Sequence, residues 1–84
     1  MDKSKAYVDA VIDRLVLTPH RKSIVRGLMH GLSNKELAEL HECKIATLKV
    51  TLGRIYNQQH VKSRYELMRK IYAKVINELV QVKK

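Results

Sequence analysis

Tryptophan and phenylalanine are absent from this 84-residue sequence, cysteine and proline occur once each, and glycine occurs three times. The lone Cys43 cannot close an intramolecular disulfide, which excludes a small secreted scaffold held by bridges and points to a reducing compartment. No apolar run approaches the ~20 residues needed to span a bilayer, and no secretory leader pattern is present, so a soluble cytoplasmic protein is expected. With so few helix breakers, and with Leu, Lys, Glu, Ala and Arg in abundance, the composition favours helix. The length allows one domain with one modest core.

Acidic residues are scarce in the second half. Residues 1–42 hold seven Lys and Arg against six Asp and Glu, whereas residues 43–84 hold ten against two, Glu66 and Glu78. The net charge of +9 is therefore one-sided. Such a field attracts polyanions, nucleic acid or an anionic membrane being the usual ones; the plainer alternative is that it serves solubility alone.

Every segment has helical rather than alternating periodicity, and no strand is expected. A first helix is predicted over Lys3 to Leu15, with Tyr7, Val8, Val11, Ile12 and Leu15 on one face. In "LTPH", Thr18 is a good N-cap and Pro19 suits the first helical position, where its missing N–H is not needed. The second helix turns Ile24, Val25, Leu28 and Met29 inward, and Gly31 is placed for a left-handed stop. In "GLSNKELAEL", Ser33 and Glu36 form a capping box opening a helix of about two turns, with Leu37 and Leu40 buried. A fourth helix is predicted from Ile45 to Gln58. Ser63 with Glu66 makes a second capping box, opening a last helix that runs from Tyr65 to Val82. A short helix, a tight turn and a longer helix make up the helix-turn-helix plan, in which the first braces and the second enters a DNA groove.

The run from Leu17 to Leu67 resembles the DNA-binding domain of LuxR/GerE-type transcription regulators. It does so through "LTP", "GLSNKELAEL", "TLKV" and "VKSRYEL" at matching distances. The resemblance implies an all-α tetrahelical helix-turn-helix bundle that binds double-stranded DNA as a homodimer on partly palindromic sites. The whole of 1–84 then reads as one domain of stand-alone type. Residues 1–16 are an N-terminal helical extension, 17–67 the core, and 63–82 a C-terminal dimerisation helix. By position in the family pattern, Lys49 and Val50 are expected to face the groove, and Thr47 and Lys35 the phosphates.

The fourth helix is consistent with that role on its own residues. Ile45, Leu48, Leu52, Ile55 and Gln59 share one face. The other face carries Ala46, Val50, Gly53, Asn57 and Arg54. Val50 suits a thymine methyl, and Arg54 or Asn57 suits base edges. A mid-helix glycine costs roughly 1 kcal/mol against alanine, so Gly53 implies either close approach of DNA or close packing of a neighbouring helix. Two departures from the family stand out. Arg21 replaces a glutamate and needs a new internal partner, Asp13 or Glu39. The turn "HECK" leaves the fourth helix without a good N-cap and with Lys44 near its positive end, where a phosphate would be favourable. Lys62 and Arg64 complete the expected phosphate contacts.

On the last helix Met68, Ile71, Tyr72, Val75, Leu79 and Val82 approach a heptad repeat. They are expected at a dimer interface that sets two fourth helices near 34 Å apart, the alternative being that the stripe covers the first helix within one chain. His20, His30, His41 and His60 are scattered, and His41 with Cys43 lacks the remaining ligands for zinc, so no metal or cofactor is expected; Cys43 reads as a packing residue. No catalytic constellation is evident and no enzyme activity is expected. A second function class is an interaction protein that pairs with a larger LuxR-type regulator and modulates it.

Overall fold

The computed structural model describes the backbone of residues 3–82 and the side chains of residues 5–80. Five helices follow one another: α1 (Lys3–Asp13), α2 (Pro19–Met29), α3 (Asn34–Leu40), α4 (Ile45–Gln58) and α5 (Arg64–Val82), with no strand among the described residues. This is the all-α helix-turn-helix bundle expected, with an added first helix and a long last one.

Local chemistry explains most boundaries. The Thr18 side chain accepts the Arg21 N–H at 3.3 Å, and Pro19 begins α2. At its other end Leu32 N–H donates to the Gly27 carbonyl and Gly31 N–H to that of Leu28, a Schellman stop that needs the left-handed φ of 86° taken by Gly31. Ser33 and Glu36 close the full capping box, at 3.1 and 2.9 Å. The second box differs from expectation. Ser63 Oγ accepts the Glu66 N–H at 3.2 Å, but the Glu66 carboxylate accepts the N–H of Lys62, one residue earlier than a reciprocal box requires. Helix α1 ends at Asp13, short of Leu15, because Arg14 and Leu15 bond back three residues and Lys22 Nζ caps the Asp13 carbonyl.

The core forms where these helices meet. Val11 and Ile12 of α1, with Leu15 beyond it, are buried together with Leu67, Ile71 and Val75 of α5, and the Arg14–Glu78 ion pair joins the same two helices. Of the two arrangements expected for this stripe, cover within one chain is the one found: Ile71 and Val75, assigned to a dimer interface, are interior residues, and Met68 and Leu79 pack against the same core. The first helix covers that stripe before a second copy could. Of the six interface residues, Tyr72 is open, and the side chain of Val82 lies outside the described residues.

Leu40, expected inside, is 62% exposed. The buried sector of α3 is centred between Leu37 and Ala38, which puts Leu40 about 110° away at 100° per residue. Leu37 instead reaches α2 at Gly27, where an added Cβ would stand 2.6 Å from Leu37 Cδ2. That close approach fixes how α3 sits on α2.

Candidate nucleic-acid interface

Helix α4 divides cleanly by burial. Leu48, Leu52 and Ile55 are interior, and Gln59, its C-cap, is buried beside them. Ile45 lies on the same stripe but in the opening turn, and it is exposed rather than packed as expected. On the other side Ala46, Thr47, Lys49, Val50, Gly53, Arg54 and Asn57 are all exposed, Val50 by 57%. No neighbouring atom lies within 4 Å of a Cβ added at Gly53. Packing against another helix therefore does not account for the glycine, and this side of α4 is smooth, with small residues and a rim of cations.

Three contacts hold α4 in place. Its first turn follows the α3–α4 turn, where Cys43 N–H donates to the Ala38 carbonyl and the Cys43 side chain is half-buried against the core. In that turn the His41 ring meets His20 of α2 edge-on, with centroids 5.2 Å apart. At the far end of the helix Arg21 donates to Gln58 Oε1 at 2.6 Å. The expected partners of Arg21 were Asp13 and Glu39. Asp13 is instead engaged by Arg26, and Glu39 is exposed. The N-terminus of α2 abuts the C-terminus of α4, so a long cation there finds an amide from α4 first. This link was not legible in sequence, since Arg21 and Gln58 are separated by 37 positions.

The expected phosphate ligands fall into two groups. Lys35 in the first turn of α3, Lys44 and Thr47 at the start of α4, and Lys62 before α5 are exposed. Lys44 is the N-cap of α4 and makes no side-chain capping bond, so the free N–H groups of that helix end remain open to an anion. Arg64 departs from the expectation. Its Nη2 turns inward to the carbonyls of Leu32 and Leu28, closing the end of α2, which ties the guanidinium to the protein rather than leaving it free at the surface. The same group opposes, by its charge, the effect of burial on Tyr56, whose hydroxyl is held above the ordinary phenol pKa mainly by desolvation.

Among the described residues no set of His, Cys, Asp and Glu side chains is arranged to hold a metal ion, and no helix is long and apolar enough to cross a membrane. The arrangement can present one helix face, rimmed with cations, to a polyanion. The family model described as bacterial regulatory proteins, luxR family, matches residues 15–71, well over half of the chain and wider than the run from Leu17 to Leu67. No curated protein and no solved structure matches.

Proposed function

This chain belongs to the luxR family of bacterial regulatory proteins, whose helix-turn-helix domain binds DNA, and from that membership we propose that it is a sequence-specific transcription regulator with α4 as its reading helix. Residues 17–67 form the DNA-binding unit, and the action is in the cytoplasm, where bacterial DNA lies. Helix α3 fixes the angle of approach. Lys49, Val50, Gly53, Arg54 and Asn57 meet base edges in the major groove, while Lys35, Lys44, Thr47 and Lys62 meet phosphates. The carrying observation is the open side of α4, exposed from Ala46 to Asn57 while Leu48, Leu52 and Ile55 on the opposite side are buried.

Two copies occupy two half-sites, with reading helices about one DNA turn apart, near 34 Å. With Ile71 and Val75 interior, the surface left on α5 for pairing is its outer edge, where Tyr65, Tyr72, Ile76 and Val80 are exposed. That edge is narrow, so pairing is weak in solution and completed on the duplex.

A mobility-shift titration against fragments from around its own coding region tests the reading. Lys49→Ala and Arg54→Ala should each weaken specific binding by about 1–3 kcal/mol. Lys35→Ala should weaken binding to all duplexes alike and lower the salt slope by about one. If both classes of variant bind as the wild type does, the reading fails.

A further inference from the structure

After Pro19 the first turn of α2 holds three consecutive basic residues, His20, Arg21 and Lys22, and no acid. Positive charge is the wrong sign for the opening end of a helix, so these side chains gain by reaching elsewhere. At 100° per residue the three fan out over about 200°, and each meets the closing end of a different helix. His20 packs edge-on against His41, the C-cap of α3, with ring centroids 5.2 Å apart. Arg21 donates to Oε1 of Gln58, the last residue of α4, at 2.6 Å. Lys22 Nζ donates to the carbonyl of Asp13, the last residue of α1, at 2.5 Å.

Of the three, the Arg21 bond has the most leverage on the open side of α4. That helix has no basic residue in its own last turn, and the cations at its closing end come from other helices: Arg21 from α2, and Lys70 from α5, whose Nζ donates to the Gln59 carbonyl at 2.6 Å. Between its ends α4 is held by the buried Leu48, Leu52 and Ile55. Apolar contact is non-directional and tolerates a small tilt, whereas a hydrogen bond fixes both distance and angle. Asn57 lies twelve residues beyond Ile45. At 1.5 Å per residue that is about 18 Å, so a tilt of about 3° around the first turn moves Asn57 by about 1 Å.

We propose that Arg21 is a positioning residue for base reading. Through Gln58 it sets the lie of the closing half of α4, and with it Arg54 and Asn57, without itself meeting DNA. The opening half, with Lys49 and Val50, is placed by the α3–α4 turn, where Cys43 N–H donates to the Ala38 carbonyl. Arg21 therefore governs the choice of sequence at one part of the site and leaves the phosphate contacts as they are. Lys70 remains as a second tether, so its loss is partial. The role rests on the DNA reading above.

Selection from a random-sequence duplex pool, followed by titration of the selected duplex and a scrambled one, tests the role in the full chain. Arg21→Ala and Gln58→Ala should each lower the ratio of selected to scrambled affinity about fivefold, and the double variant no further, because one bond is removed in all three. The preference lost should be at the base pairs that Arg54→Ala also frees, and not at those freed by Lys49→Ala. Lys74→Ala, which removes an exposed cation of α5, should leave the ratio unchanged. Circular dichroism melts check that each variant folds. A salt slope lower by about one in Arg21→Ala, with equal loss on both duplexes, would make Arg21 a phosphate ligand and overturn the proposal. Additive losses in the double variant, or a lower melting temperature with the ratio unchanged, would overturn it as well. Without DNA, amide exchange over residues 55–60 should quicken about threefold in Arg21→Ala, and unchanged exchange would count against the tether. A wild type that selects no sequence would sink the operator reading, an outcome distinct from a selective wild type whose variants select equally well.

Discussion

His60 stands where the backbone takes a form that glycine adopts most easily. Its φ is 58°, and that of Glu42, at the other end of α4, is 54°. A side chain in the left-handed region costs about 1–2 kcal/mol, here tolerated because each turn is closed by a backbone bond, His60 N–H to Asn57 and Glu42 N–H to Glu39. His60→Gly should therefore stabilise the fold by about 0.5–1 kcal/mol in urea unfolding, the freedom of glycine in the unfolded chain offsetting the rest; a loss of stability would contradict the account. Glu42 carries no signature of such backbone and His60 only the mild preference of histidine for it, unlike Gly31, which announces its turn. Glu36 makes a second residue-scale prediction. Its bonds with Ser33, the backbone N–H first and the hydroxyl second, hold its carboxyl below the usual range, while slight desolvation opposes them. Because the folded pKa is the lower one, this stabilisation is present above the ordinary glutamate pKa and is lost as pH falls through the folded value. Wild type should thus lose its advantage over Glu36→Gln as pH is lowered from neutral to about 3. A pH-independent difference in melting temperature between the two would count against the capping box as described.

Helix boundaries were the most legible feature of the elements, because caps are local chemistry. Thr18 with Pro19, Gly31, and Ser33 with Glu36 each act within four residues of where they stand. What a helix face meets was less legible, since periodicity gives a stripe but not its neighbour. Leu40 fits the apolar pattern and faces outward, whereas Gly27, unremarked in the pattern, is where α2 and α3 touch. Gly27→Ala tests that contact against intrinsic propensity. Alanine is the better helix former by about 0.8–1 kcal/mol. Its methyl would nevertheless press on Leu37 Cδ2 at 2.6 Å and Leu32 Cδ1 at 3.3 Å. The expected result is a net loss of about 1–3 kcal/mol in chemical denaturation. A gain would mean that α3 sits less tightly on α2 than described. The same limit explains the last helix, whose stripe left open whether a second copy or α1 would cover it; α1 covers Ile71 and Val75 and leaves the outer edge to Tyr72 and Ile76.

Across the whole molecule, charge and fold separate the labour. The acidic residues of the first half are partly consumed in tying helices together, as in Arg26 with Asp9 and Asp13, while most cations of the second half remain at the surface. Membership of the luxR family gives that field its DNA partner, and the function proposed above has the exposed side of α4 as its place of contact. This side was legible because burial of Leu48, Leu52 and Ile55 dictates by helical geometry what must face outward. The inward turn of Arg64 was not, because nothing local distinguishes a cation that closes a helix end from one that waits for a phosphate. The most direct test is photo-crosslinking. A benzophenone side chain placed at Val50 in one variant and at Tyr72 in another is irradiated on a specific duplex. The account predicts covalent attachment to bases from position 50 and none from position 72, and attachment from position 72 alone would contradict it.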